Sequence, residues 1–249
     1  MDDNYTQKIN IGARILDSAR GNLYLAMRFM DIALCAFAYK PDEGRQMTGT
    51  DGNVIYYCPD YVMDRYEAGC GYADRLYLHM TLHCIYRHIF RISNRNVRLW
   101  NLACDIAVEH VIDGLPYGCV RMRIPAVRDL CYRKISEYTS ILNADLIYKY
   151  LENNPMDEDT LKAWENEFLV DDHTYWYRED KNSRSNMKNE QKWDDISRKM
   201  QTSMETIEKG IGHDDKNLYD SIQIENRKRY DYRDFLRKFA VYREEMHID

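Results

Sequence analysis

Leu78-His79-Met80-Thr81-Leu82-His83-Cys84-Ile85-Tyr86-Arg87-His88 lies at the centre of a run over residues 73–92, ADRLYLHMTLHCIYRHIFRI, with the strongest helical pattern in the chain. Leu78, Leu82, Ile85 and Ile89 recur at helical spacing and form an apolar stripe through which the helix can pack. At about 100° per residue, His79 and His83 share one face, one turn apart. Packing through the stripe would aim both histidines at an adjacent cleft. Two imidazoles so placed can hold one tetrahedral metal ion, usually zinc. His88 follows His83 by five residues, so it is expected to point away from the pair and is not counted as a ligand of the same ion.

The spacing is that of HExxH, in which the glutamate after the first histidine takes a proton from metal-bound water. Met80 stands there instead, and a thioether cannot do this. Loss of a general base costs roughly 10²–10⁴-fold in rate. Glu67, Asp74 and Glu109 are other carboxylates within sequence reach, though carboxylates so placed are more often solvated or capping than a base. Without the glutamate, the two histidines also fit plain hydrogen bonding at a helix–helix contact.

The next helix, from about Leu99 to Ile112, ends at Asp113-Gly114-Leu115-Pro116, a stop signal. It offers Asp105 and Glu109, again four apart, and the short polar connection Ser93–Arg98 lets it fold back beside the histidine helix. Asp105 sits in an apolar stretch, where a carboxylate needs a partner: a metal ion, an arginine or one of the histidines. Glu109 reads as an acceptor for an imidazole N–H or as a surface group. Cys104 is a soft-ligand alternative whose neighbours favour plain core.

Further out, helices are expected over 5–20 and 23–37, with a break at Gly21-Asn22. Turn formers dominate 40–60, where Val54-Ile55-Tyr56-Tyr57 is the best strand candidate, in a hairpin with the segment near Gln46-Met47. Helical pattern resumes near Tyr61 and breaks at Gly69-Cys70-Gly71. Shorter helices fit 126–138, 143–152 and 158–168, and later ones 193–209 and 230–245. Residues 171–192 are strongly polar and read as a surface loop or linker, with His173, Trp176 and Tyr177 as lid or docking candidates. The domain reading is a core over 1–170, a polar loop or linker over 171–192, and a C-terminal helical part of the same domain over 193–249.

Composition supports helices: five prolines and 11 glycines in 249 residues leave few breakers. A net charge of −6 argues against a general nucleic-acid partner. Arg121, Arg123, Arg128 and Arg133 read as a solvated helix face. The seven cysteines are odd in number and form no CxxC pair, which fits reduced thiols in a cytoplasm. The polar start Met1-Asp2-Asp3-Asn4 is not expected to act as a secretory signal, and no apolar run approaches the ~18 residues of a membrane span. The expectation is therefore a cytoplasmic protein without a membrane partner. The chain has no Walker-type phosphate loop, no GxGxxG and no GxSxG.

The motifs, taken in order, resemble the bacterial putative metallopeptidase domain found upstream of von Willebrand factor A-like domains. They are Thr50-Asp51-Gly52, the strand Val54–Tyr57, Pro59 and Tyr61-Val62, the His79–His83 helix with Arg87-His88, Trp100-Asn101-Leu102-Ala103-Cys104-Asp105, and Tyr232-Arg233-Asp234-Phe235-Leu236-Arg237-Lys238-Phe239 as a closing helix. The resemblance implies metal ligands at His79, His83 and Asp105, with zinc as the ion. It implies a mainly α (α+β) zincin-like core with a small β-hairpin near the site. It also implies protein partners: a von Willebrand factor A-like domain and a MoxR-type AAA ATPase. Met80 is the departure. The expectation is a degenerate metallopeptidase-like domain that binds metal, hydrolyses peptides poorly and serves in recognition or assembly. An active metal-dependent hydrolase with a different base, and a metal-free structural domain, are the alternatives.

Overall fold

Gly69, at φ 144°, divides two helices at the break the sequence announces. The first, α3 (Pro59–Ala68), starts with proline at its first position, where the missing N–H costs nothing. The second, α4 (Cys70–Ile85), is the histidine helix, and every residue from Ala73 to Ile85 is buried. A helix buried on all sides is a central element. The expected cleft beside a one-sided stripe is therefore not what the histidines face.

The computed structural model describes residues 3–91, 94–177, 184–208 and 216–227. Around α4 lie α1 (Asp3–Ala26), α2 (Asp31–Leu34), α5 (Val97–Asp113), α6 (Ala126–Tyr138), α7 (Ala144–Asn153), α8 (Glu158–Phe168) and α9 (Arg184–Glu208), with α10 over 216–227. α1, α3, α5 and α9 pack directly on α4, and α7 and α8 cover α5. The fold is mainly helical with one small sheet, as expected. No described helix is long and apolar enough to cross a membrane.

The break expected at Gly21-Asn22 is absent. α1 runs through to Ala26, and nothing lies within 4 Å of a Cβ built at Gly21. A glycine inside a helix costs only about 1 kcal/mol relative to alanine, which the packing of α1 outweighs. The second expected helix, 23–37, is the end of α1, a 3-10 turn at Arg28–Met30 and the four-residue α2.

The sheet holds three strands in the order β1 (Ala38–Pro41), β3 (Val54–Tyr57), β2 (Gly49–Thr50). β3 pairs antiparallel with β2 and parallel with β1, a strand the sequence did not announce. The hairpin partner of β3 is thus Gly49–Thr50 and not Gln46-Met47. Asp51 fixes the tight turn: its Oδ1 accepts from the N–H groups of Asn53 and Val54, both at 2.9 Å. Gly52 has φ 87°, a conformation glycine adopts without strain. α9 clamps the turn, with Trp193 Nε1 donating to the Gly52 carbonyl at 2.6 Å and Asn189 to the Asp51 carbonyl at 2.9 Å.

α4 is shorter than the run over 73–92 predicts. It ends at Ile85, and Arg87 takes a left-handed conformation (φ 62°) before a 3-10 turn at His88–Phe90. A non-glycine residue there is uncommon. Arg87 is held at that corner by Asp194 of α9 at 3.4 Å and Asn226 of α10 at 3.1 Å. The expected helix 230–245 and the closing motif Tyr232–Phe239 lie outside the described residues.

Candidate metal centre

Two ladders with a four-residue step face each other across α4 and α5. On α4, Arg75, His79 and His83 occupy successive turns of one face; on α5, Asp105, Glu109 and Asp113 do the same. The helices run antiparallel, so His83 meets Asp105, His79 meets Asp105 and Glu109, and Arg75 meets Glu109 and Asp113. Asn96 caps α5 by accepting from the Leu99 N–H at 3.2 Å.

His79 Nδ1 lies 2.8 Å from Glu109 Oε1. Glu109 Oε2 accepts in turn from Arg75 and Arg128. Asp113 accepts from Arg75 at 2.7 Å and from the Tyr132 hydroxyl at 2.8 Å. Arg128 also donates to Glu167 at 3.0 Å. Arg128 is therefore buried within an ionic layer, whereas the sequence placed it on a solvated face. Burial works against ionisation of Glu109, but the bond to His79 and the charges of Arg75 and Arg128 outweigh it and hold the carboxyl below its usual range. Glu109 is thus fully engaged in orienting His79 and has no oxygen free to act as a base. Asp74 is turned away towards Asn22, which donates to both its oxygens at 3.2 Å.

With its Nδ1 committed to Glu109, His79 presents Nε2 to the interior. His83 does likewise. Its Nδ1 lies 2.9 Å from Nδ1 of His88, and the two Nε2 atoms approach to 2.8 Å. His88 therefore does not point away from the pair: the left-handed corner at Arg87 folds it back onto His83, behind the site and outside the group of inward-facing donors. Asp105 Oδ1 sits 3.4 Å from His79 Nε2 and 3.2 Å from His83 Nε2.

Two further donors come from a segment that sequence reasoning read as a polar loop. Asp171 and His173 are buried, and the 3-10 turn His173–Tyr177 buries Tyr175 and Trp176 as well. Asp171 Oδ1 lies 2.8 Å from His173 Nε2 and 3.4 Å from His79 Nε2, and His173 Nε2 lies 3.1 Å from Asp105 Oδ1. One donor atom from each of His79, His83, Asp105, Asp171 and His173 falls within 4.8 Å of all the others. Tertiary bonds set this segment. The Asp172 N–H donates to the Thr48 carbonyl at 2.8 Å, and the Tyr61 hydroxyl to the Val170 carbonyl at 2.6 Å. Tyr175 stacks on Tyr56 of β3 at 4.5 Å, and Tyr177 bonds Asn101 of α5. Trp176 stacks on the His173 ring at 3.5 Å and meets His83 edge-on at 4.8 Å. Cys104 is buried core, outside the donor group.

The electrostatics are those of a cation site. Burial lowers the proton affinity of His173, but Asp105 and Asp171 outweigh it and raise its pKa to about 9. Burial is likewise outweighed at His79, which is raised by Asp105, Asp171 and Glu109. His83 is pushed down to about 4 by burial and by the neighbouring His79. Asp105 and Asp171 are held low against burial, chiefly by the charge on His173. Asp105 Oδ1, both oxygens of Asp171 and His173 Nε2 are buried with no hydrogen bond of acceptable geometry. Each such atom costs about 1–3 kcal/mol if left so. A divalent cation among the five donors would satisfy Asp105 Oδ1, His173 Nε2 and an Asp171 oxygen at once, so the residues present fit a metal ion.

A mainly helical scaffold that gathers three imidazoles and two carboxylates around one buried point defines a domain that could hold a metal ion. The family model described as "Putative metallopeptidase domain" matches residues 13–218, and the chain belongs to that family. No curated protein and no solved structure matches it.

Proposed function

We propose that this domain holds a metal ion through His79, His83 and Asp105, zinc being the first candidate, and that it hydrolyses peptides poorly. The convergence of five buried donor atoms carries the metal reading. The impairment follows from Met80, which is fully buried at the position where a metallopeptidase helix carries its general base. The carboxylates considered as substitutes do not supply one: Glu109 is locked between His79, Arg75 and Arg128, Asp74 is bonded to Asn22, and Glu67 lies on the exposed side of α3, away from the buried donors. The same proposal includes a recognition or assembly role in the cytoplasm beside a von Willebrand factor A-like domain and a MoxR-type AAA ATPase. Only the resemblance of the motifs supports those partners, and the unpaired cysteine pattern supports the location.

Elemental mass spectrometry on the untagged chain, purified without added metal, tests the reading, with His79→Ala/His83→Ala as control. Near-stoichiometric transition metal that disappears in the double variant is the expected result; equal metal in both, or none in either, overturns it. A peptide-hydrolysis assay on the metal-loaded chain tests the impairment. A wild-type rate in the ordinary range for enzymes, about 1–10³ per second, would contradict it.

A further inference from the structure

The metal reading needs only His79, His83 and Asp105, yet the site contains more. Asp171 and His173 enter it from outside the α4–α5 pair, on a segment tied to Thr48, Tyr56, Tyr61 and Asn101. A peptidase-type zinc has three protein ligands and keeps one position for water and substrate, whereas a structural site is filled by protein. Here five protein donors surround one point, and all five residues are buried. Asp171 is the most telling of them. Neither of its buried oxygens has a hydrogen bond of acceptable geometry, although Oδ1 lies 2.8 Å from His173 Nε2 and 3.4 Å from His79 Nε2. A positioning residue would have its carboxylate bonded, as Glu109 does; a ligand would not.

Resting on the metal reading above, we propose that Asp171 and His173 are themselves ligands. With His79, His83 and Asp105 they complete a closed centre of three imidazoles and two carboxylates. The ion then joins residues 170–177, and through them β2 and β3, to α4 and α5. Five protein donors and the burial of all five residues keep a substrate carbonyl from it. The donor set includes no thiolate or thioether, which selects a first-row divalent ion accepting five or six nitrogen and oxygen donors over copper(I). In this account Met80 is tolerated because the centre does not turn over substrate.

Cobalt(II) is the probe. Metal-stripped full-length chain is loaded with one equivalent, and its visible spectrum and cobalt-edge X-ray absorption are recorded with and without azide. The expected result is five or more nitrogen and oxygen neighbours including three imidazoles, with weak visible bands that azide leaves unchanged. In Asp171→Ala/His173→Ala, affinity should fall by more than the roughly 10–100-fold that loss of an outer hydrogen-bond partner costs, and the remaining spectrum should respond to azide. Intense tetrahedral bands that azide shifts in the wild type, or wild-type affinity in the double variant, would overturn the closed centre while leaving the metal reading intact. Failure of the wild type to take up cobalt would overturn both. If the double variant does not fold, the wild-type spectra alone decide.

Discussion

Gly49→Ala should damage the metal centre from outside it. A Cβ built at Gly49 falls 2.1 Å from the backbone oxygen of Asp172 and 2.9 Å from the Tyr175 ring, where real Cβ contacts essentially never come closer than 3.0 Å. The Asp172 carbonyl would have to retreat by about 0.9 Å, and as backbone it cannot swing aside as a side chain would. Asp172 lies between Asp171 and His173, so both donors move with it. Metal sites tolerate only about ±0.2 Å in ligand distance, so the shift removes both donors or distorts the site. Overpacking of this kind costs about 1–3 kcal/mol in the metal-free protein. Gly49 itself does not occupy the left-handed region, so backbone strain adds nothing. Competition against a chromogenic chelator should show metal affinity lowered at least about tenfold, with circular dichroism unchanged. Thermal unfolding should show a smaller metal-induced rise than in the wild type. Wild-type affinity and a wild-type rise in Gly49→Ala would refute the claim that residues 170–177 position the centre.

Other consequences are equally concrete. Glu109→Gln should lower metal affinity by about 10–100-fold through weaker orientation of His79, measured by the same competition; Glu109→Ala, which takes one carboxylate partner from each of Arg75 and Arg128 and leaves them Asp113 and Glu167, should cost about 1.5–3 kcal/mol in urea unfolding. Chelation should lower the unfolding temperature, because metal at 100 times its Kd contributes about 2.7 kcal/mol to the folded state alone; identical melting with and without chelator would count against the site. Met80→Glu places a carboxylate at a fully buried position and should destabilise the chain by about 3–5 kcal/mol without conferring peptide hydrolysis; a large gain in turnover would contradict the closed centre. Burial raises the Asp74 carboxyl to about 6, with Asn22 partly opposing. A carboxyl raised on folding penalises the native state once ionised, so stability should fall as pH rises from about 4 through 6, by about 1–2 kcal/mol after discounting for residual hydration. Asp74→Asn should flatten that slope in urea titrations at pH 4 to 7, and an unchanged slope would sink the assignment.

The helical fold and three of the five donors were legible in the sequence because they rest on local periodicity. A four-residue step places His79 above His83 whatever surrounds the helix, and the stop at Asp113-Gly114-Leu115-Pro116 fixes where α5 ends. Each of the two ladders was read one member short. Arg75 and Asp113 continue the same step one turn further, and extending the spacing would have found them. Asp171 and His173 gave no periodic signal, because they lie on an irregular turn whose position is set by bonds to Thr48, Tyr61 and Asn101, far away in sequence. A weak clue was present: Tyr175, Trp176 and Tyr177 directly after His173 are too aromatic for a solvated linker. The corner at Arg87 was also hidden, since arginine carries no helix-stop signal and Asp194 and Asn226 enforce the turn from other helices.

One ion at the point where five donors meet is what makes this cluster a metal centre. Isothermal titration of zinc into the metal-stripped full chain measures this most directly. One site per chain, absent from His79→Ala/His83→Ala and weakened in His173→Ala, is the expected result. No saturable binding in the wild type, or binding that survives loss of both helix histidines, would contradict it.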